Sequence, residues 1–186
     1  MISISGKNVK IIAEVKTKSP FNFEAGDSWD ELFEIANKIG DIISIHTDSR
    51  WDGGFDLISK ARKLTKKPIL AKGIHESDDD IKRAIECGAD YVLVVGRIPE
   101  SHRHMCMIEP VSLEQLAEIP FGLNVVWNSR DLDTGNQKTE TFEQARNLWA
   151  GWLCQASHIR TVKDIKEGAD AVLVGEHLKE FAHSLQ

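Results

Sequence analysis

The stretch Val9–Pro20 of the sequence, VKIIAEVKTKSP, is an apolar run that ends in charged residues. Glu14 and Lys16 are two positions apart, so on a β-strand their side chains point to the same side. A carboxylate inside an apolar run costs free energy unless it is paired. The pattern therefore predicts a buried strand whose end carries out chemistry or binds a charged ligand.

Short apolar runs of this kind recur along the chain and alternate with amphipathic stretches that are typical of helices. The predicted strands are Lys10–Val15, Ile42–His46, Ile69–Lys72, Tyr91–Val95, Met105–Glu109, Leu123–Trp127, Trp152–Gln155 and Ala171–Val174. The predicted helices are Trp29–Ile39, Phe55–Leu64, Asp78–Cys87, Leu113–Glu118, Phe142–Leu148, Val162–Glu167 and His177–Ser184. Eight strands that alternate with helices indicate a parallel α/β protein, and eight such units close into a (β/α)8 TIM barrel.

The predicted barrel is compact. A typical barrel of this class needs about 250 residues, whereas this chain has 186. We therefore expect reduced helices and no N-terminal extension before the first strand, and the link Arg97–Cys106 shows no helical pattern. The sequence contains no linker or low-complexity tract, so we expect one domain over residues 1–186.

Composition limits the classes of partner. The net charge is -6, which gives no general attraction to nucleic acid or to an anionic membrane. The chain lacks the run of about 18 apolar residues that a membrane span needs, and its first residues do not resemble a secretion signal. We therefore expect a cytoplasmic protein. The three cysteines are far apart, which argues against disulfides, and no residue pattern predicts a metal or another cofactor.

Charged and polar residues follow the predicted strands at their carboxyl ends, where barrels of this class place the active site. They include Glu14, Lys16, Lys18, Ser19, Lys72, Arg97, Glu109, Asn128, Arg130, Ser157, His158 and Arg160, and the last strand ends at Gly175. We expect five cations of this set to converge on a mouth that attracts small anions, namely Lys16, Lys72, Arg97, Arg130 and Arg160. Gly175 precedes a predicted helix, and backbone N–H groups at such a point bind phosphate. The residues thus predict a phosphorylated small molecule as substrate, with lysines and carboxylates for proton transfer.

Six segments resemble, in order, motifs of the indole-3-glycerol phosphate synthase family of tryptophan biosynthesis. They are IIAEVKTKSP, PILAKG, IEPVSLEQL, NSRDL, ASHIRTVKDI and GADAVLVGEHL, and they extend from about Val9 to Leu178. The resemblance implies a carboxy-lyase that closes and decarboxylates 1-(2-carboxyphenylamino)-1-deoxyribulose 5-phosphate to indole-3-glycerol phosphate. It also implies that the chain needs no cofactor, and we expect a monomer or a weak homodimer.

The resemblance also implies roles for single residues. Lys72 would be the general acid that protonates the ribulose carbonyl, and Glu109 would transfer protons in the later dehydration. Lys16 would hold the substrate carboxylate and share the acid role, while Glu14 and Asn128 would orient these groups. The remaining implied substrate-binding residues are Arg130, Ser19, Ser157, Gly175 and Glu176.

The chain departs from the family pattern at several positions. Ala156-Ser157-His158 stands where the family has Glu-Ser-Gly, and Gly73-Ile74 follows Lys72 where the family usually has Asp-Phe. These departures favour one alternative, a degenerate barrel that binds a phosphorylated ligand or a partner with little or no catalysis. Another alternative is a related phosphosugar isomerase such as phosphoribosylanthranilate isomerase. That family uses a cysteine near the end of the first strand, where this chain has none.

Overall fold

The computed structural model describes residues 2–4 and 6–186, and within them eight parallel strands close into a barrel. The strands are β1 (Ile2–Ile4), β2 (Lys7–Val15), β3 (Lys18–Ser19), β4 (Phe23–Glu24), β5 (Ile42–His46), β6 (Ile69–Lys72), β7 (Tyr91–Val95), β8 (Cys106–Glu109), β9 (Asn124–Asn128), β10 (Leu153–Ala156) and β11 (Ala171–Val174). The helices are α1 (Trp29–Ile39), α2 (Phe55–Leu64), α3 (Asp78–Glu86), α4 (Leu113–Glu118), α5 (Phe142–Leu148) and α6 (Leu178–Ser184). Strands β2 and β5–β11 form the barrel, which closes by parallel pairing of β2 with β5. The predicted (β/α)8 fold is confirmed.

Each barrel strand is buried on both faces, which is why the strands are nearly continuous apolar runs. In β2, Ile11, Ala13 and Val15 belong to the core between barrel and helices, whereas Ile12 belongs to a separate inner core. The inner core takes one or two residues from each barrel strand, including Ile42, Leu70, Leu93, Met107, Val126, Cys154 and Leu173. Because side chains alternate along a strand, the inward position two residues after Ile12 is Glu14.

The same alternation applies to the other barrel strands. Two residues after Leu70, Met107 and Val126 stand Lys72, Glu109 and Asn128. The ends of neighbouring strands are also in register, since Lys72 pairs with His46 and Ala156 with Asn128. The polar side chains of five strands therefore form a layer directly above the inner apolar core. The fold itself brings the predicted residues to one level.

Several local predictions differ from the structure. The helix predicted at Val162–Glu167 is only a short 3-10 turn, Val162–Asp164, which Thr161 caps at its start and which ends where Ile165 takes an extended backbone. The short strand β1, antiparallel to β2, and the hairpin of β3 and β4 were not predicted. These strands have two or three residues each, too few for an apolar period to show.

The structure also bears on membrane, metal and thiol chemistry. Over residues 2–4 and 6–186, no helix is long and apolar enough to cross a membrane. The same residues contain no group of three or more His, Cys, Asp or Glu side chains that could hold a metal ion.

Cys106 and Cys154 are buried and Cys87 is half-buried. Burial raises the pKa of the Cys106 thiol to about 11, so this thiol is not a reactive nucleophile at neutral pH.

The link between β7 and β8, for which the sequence predicts no helix, is held by one carboxylate. Asp78, the first residue of α3, accepts hydrogen bonds from the backbone N–H groups of Glu100 and Ser101, at 3.0 and 2.7 Å. It also accepts from the Ser101 hydroxyl and pairs with Arg97 at 2.7 Å. These donors, Arg97 first, lower the pKa of Asp78 to about 2. A single helical turn, Arg103–Met105, then leads into β8.

We expect Asp78→Ala to lower the free energy of unfolding by about 2 kcal/mol, because several charge-assisted hydrogen bonds are lost together. Denaturant unfolding measures the difference. The matched control is Asp79→Ala, which removes an exposed carboxylate from the same helical turn and should change stability little.

The effect should also depend on pH in a defined direction. A carboxyl group whose pKa is lowered by folding stabilises the protein above its ordinary value of 3.8, and the stabilisation is lost as pH falls through about 2. The difference between wild type and Asp78→Ala should therefore shrink across that window. A difference that stays constant there would contradict the role given to this carboxylate.

Candidate active site

The polar layer at the carboxyl ends of the barrel strands opens into two adjoining hollows. The first is lined by Glu14, Lys16, Arg130, Ser157 and Glu176, among others. The second is lined by His46, Trp51, Glu109 and Leu132, among others. Lys72 and Asn128 line both hollows. The two spaces are therefore parts of one site that is divided by these two side chains.

Glu14 lies at the centre of the site and is only 3% exposed. Its Oε1 is 3.0 Å from Lys72 Nζ and 2.6 Å from His46 Nε2. Burial alone would raise the pKa of Glu14, but the ammonium of Lys72 and the imidazole of His46 hold it well below the usual value. Glu14 is therefore an ionised carboxylate that fixes the ammonium of Lys72 at the boundary of the two hollows.

Gly175 makes this position of Glu14 possible. A side chain at Gly175 would collide with Oε2 of Glu14. The loop after β11 can therefore approach the carboxylate only because glycine has no Cβ atom. The glycine predicted for phosphate binding also has a role in packing.

His46, at the end of the second predicted strand, belongs to the site although it was not predicted as a site residue. It is buried and its ring stacks on Trp51, with ring centroids 5.4 Å apart and planes 4° apart. Burial and then the charge of Lys72 lower the pKa of His46 to about 4, so the imidazole is neutral at neutral pH. Its Nδ1 is buried without a hydrogen-bond partner among the described residues. The alternation Ile42, Ser44, His46 is the signal that could have predicted an inward histidine.

Glu109 faces the second hollow and is 2% exposed. Its Oε1 accepts a hydrogen bond of 2.9 Å from Asn128 Nδ2. Asn128 is held in turn, since its Oδ1 accepts from the Ser157 hydroxyl at 2.6 Å and from the backbone N–H of Arg130 at 3.0 Å. Burial raises the pKa of Glu109, although the charge of Lys72 opposes the rise. A carboxyl group of this kind can hold or release a proton nearer neutral pH than an exposed one.

A further cluster of charges in the site consists of Glu176 and the two cations that it pairs with, Lys16 and Arg130. Lys16 Nζ lies 2.9 Å from Glu176 Oε1, and Arg130 contacts both carboxylate oxygens, with Nη1 at 2.6 Å and Nη2 at 2.8 Å. Burial lowers the pKa of Lys16, opposed by the charge of Glu14. The Glu176 carboxyl would have a raised pKa through burial, but Arg130 and Lys16 lower it to about 2.

Not every predicted residue lies in the site. Ser19 is buried outside the residues that line the two hollows, and its hydroxyl accepts from the backbone N–H of Phe21 in the β3–β4 hairpin. Arg97 pairs with Asp78, as described above. Arg160 is exposed and lies 3.6 Å from Glu180 on α6. The expected convergence of five cations was therefore wrong for Arg97 and Arg160, because each has a carboxylate partner on a helix.

The loop after β10 contains the main departures from the family pattern. Ala156 presents a methyl group to the first hollow at the place where a glutamate was expected from the resemblance. Ser157 and His158 both have a left-handed backbone, with φ of 69° and 55°. A backbone of this kind is easiest for glycine, which explains why a glycine fits position 158 better than the histidine found here.

Comparison with known proteins gives a consistent result. The family model for indole-3-glycerol phosphate synthase matches residues 1–119. The indole-3-glycerol phosphate synthase of Bacillus pumilus is 29% identical over 92% of this chain and 79% of its own length. That of Caldanaerobacter subterraneus subsp. tengcongensis is 30% identical over 99% of this chain and 84% of its own length.

Solved structures agree with the fold. The crystal structure of 3-hexulose-6-phosphate synthase from Salmonella typhimurium superimposes with a TM-score of 0.69, at 16% identity, over 95% of this chain and 98% of that one. At that identity the likeness concerns the fold alone. The family assignment comes from the sequence matches: the family model covers residues 1–119, and the Caldanaerobacter relative is matched over 99% of this chain. This chain belongs to the indole-3-glycerol phosphate synthase family.

Proposed function

We propose that this chain is a lyase that converts 1-(2-carboxyphenylamino)-1-deoxyribulose 5-phosphate into indole-3-glycerol phosphate, carbon dioxide and water. The observation that carries the proposal is the placement of Lys72 and Glu109 in one hollow, from strands β6 and β8. An ammonium and a carboxyl group with a raised pKa are the acid and the proton carrier that ring closure and dehydration need.

Lys72 is the proposed general acid. Glu14 lies 3.0 Å from its ammonium and keeps that group in place. In the proposed first step the proton of Lys72 passes to the ribulose carbonyl oxygen while the anthranilate ring forms the new carbon–carbon bond. Loss of carbon dioxide then restores the aromaticity of the anthranilate ring, and loss of the former carbonyl oxygen as water completes the indole.

Glu109 is the proposed proton carrier in the loss of water. Asn128 donates to one of its oxygens and leaves the other for the substrate. The cations that the substrate's carboxylate and phosphate can use are Lys16 and Arg130 in the first hollow. Ser157 and the backbone at Gly175 and Glu176 line the same hollow and are the proposed phosphate contacts.

A second candidate is a barrel that binds the phosphorylated ligand without turning it over. Ala156 favours it, because the methyl group at the end of β10 can neither donate nor accept a proton. Binding measured by calorimetry together with a turnover assay separates the two candidates. Binding without product would support the second.

We expect wild-type protein to form indole-3-glycerol phosphate, and Lys72→Met to lower kcat by about 10²–10⁴-fold, the usual contribution of a positioned acid. Formation of the indole chromophore measures both rates. Lys66→Met is the matched control, since it removes an exposed lysine near the start of the same strand.

Circular dichroism must show that the Lys72→Met protein is folded, because this change leaves Glu14 without its ammonium partner. A wild-type rate no greater than that of folded Lys72→Met would contradict the proposed function.

We expect Glu109→Gln to lower the turnover rate and, at the same time, to raise the stability of the folded protein. Since burial raises the pKa of Glu109, the ionised carboxylate destabilises the folded state at pH values above that pKa. The amide keeps an acceptor for Asn128 without the charge. We therefore expect a higher Tm than wild type at neutral pH and a kcat lower by about 10²-fold or more.

Glu118→Gln is the control for this change, since it removes an exposed carboxylate at the end of α4. Differential scanning calorimetry and the turnover assay give the two readouts. A Glu109→Gln protein with unchanged kcat would refute the role of Glu109 in proton transfer.

A further inference from the structure

The first hollow already contains an anion that belongs to the chain itself. The carboxylate of Glu176 binds both of the cations that remain after Lys72 has paired with Glu14, namely Lys16 and Arg130. All three side chains are largely buried, with exposures of 17% for Glu176, 8% for Lys16 and 13% for Arg130. The two-point contact with Arg130 is the geometry that guanidinium groups also use to bind phosphate.

The charges in this hollow leave little attraction for a second anion while Glu176 stays in place. His158 and His177 also line the hollow, and burial lowers the pKa of both, so neither adds a positive charge at neutral pH. Lys72 is compensated by Glu14. The remaining charged groups are the cations Lys16 and Arg130 and the carboxylate of Glu176, which together carry a net charge of +1. A phosphate dianion entering beside Glu176 would be repelled by that carboxylate at short range.

Glu176 has a place to move to. It stands between β11 and α6, at the border of the first hollow and a third hollow. The third hollow is lined by Phe23 and Gly26 of the β3–β4 region and by Lys179 of α6, whose ammonium already pairs with Asp27 at 2.5 Å. Rotation of the Glu176 side chain into that space would free Lys16 and Arg130, but it would bring the carboxylate near those of Asp27 and Glu180, which line the same space.

We propose that Glu176 is a built-in competitor for the anion site, whose carboxylate occupies Lys16 and Arg130 until the phosphate monoester of the ligand displaces it. The inference rests on the proposed function only for the identity of the ligand. Phosphate is the displacing group, because Ser157 and the backbone at Gly175 adjoin the same two cations. Ligand affinity is thus lowered by the free energy needed to release Glu176.

The test uses methyl phosphate as the probe, at about pH 8, where a phosphate monoester is a dianion. Isothermal titration calorimetry compares wild type with Glu176→Gln. We expect the variant to bind methyl phosphate more tightly by on the order of tenfold, a coupling typical of two linked sites. The matched control is Glu180→Gln, which removes a half-exposed carboxylate from the same region without contact to Lys16 or Arg130 and should leave the affinity unchanged.

Two further variants keep the test decisive. If loss of the Glu176 charge prevents folding, Glu176→Asp retains the charge but reaches both cations less well, and it should also bind methyl phosphate more tightly. Adding Lys16→Met to Glu176→Gln should abolish the gain. Equal or weaker binding by Glu176→Gln, or a gain that survives Lys16→Met, would overturn the proposal.

Benzoate tests whether a carboxylate rather than a phosphate is the displacing group. A gain confined to benzoate would overturn the proposal. The turnover assay separates this inference from the proposed function. Product formation by wild type with no gain in Glu176→Gln refutes the inference alone, whereas the predicted gain without any product refutes the proposed function alone.

Discussion

The site depends on the burial of one ionised carboxylate. Glu14 is nearly inaccessible to water at the end of the first barrel strand, and such a group is tolerated only when it is paired. Lys72, from two strands away around the barrel, supplies the paired charge, and His46 from the strand between them fills the remaining side. A buried pair of this kind fixes geometry more than it stabilises the fold. It holds the proposed acid where the two hollows meet.

Charge compensation then extends through the whole site. Lys16, Lys72 and Arg130 supply three positive charges, and Glu14 and Glu176 compensate two of them. Glu109 has no cation within salt-bridge distance among the described residues, and its pKa rises accordingly. The layer is therefore close to neutral rather than a strongly cationic mouth. The proposed displacement of Glu176 follows from this balance, since an incoming anion has to exchange partners with a resident carboxylate.

Much of the fold followed from local patterns. Continuous apolar runs predicted all eight barrel strands within three residues at their ends, and helices α1, α2, α4 and α5 begin and end where their periodicity indicated. Barrels place their active sites at the carboxyl ends of the strands, and this rule predicted Glu14, Lys72, Glu109 and Asn128. The direction of these side chains follows from the two-residue alternation along a strand, which requires no knowledge of tertiary contacts.

What the sequence did not reveal depends on contacts between distant segments. Arg97 and Arg160 follow strands in the same way as Lys16 does, yet carboxylates on α3 and α6 bind them outside the site. Ser19 lies in a hairpin whose strands are too short to recognise. The pairing of Glu176 with two cations joins residues far apart in the chain.

Glu14 and Lys72 should behave as a coupled pair within the barrel. A double-mutant cycle of Glu14→Gln and Lys72→Met in denaturant unfolding tests this coupling directly. Each single change should destabilise the protein by about 3–5 kcal/mol, because it leaves one buried charge unpaired. The double variant should lose far less than the sum, with a coupling free energy of at least about 1 kcal/mol. Additive losses would show that the two groups do not interact and that the site is not held by their pairing.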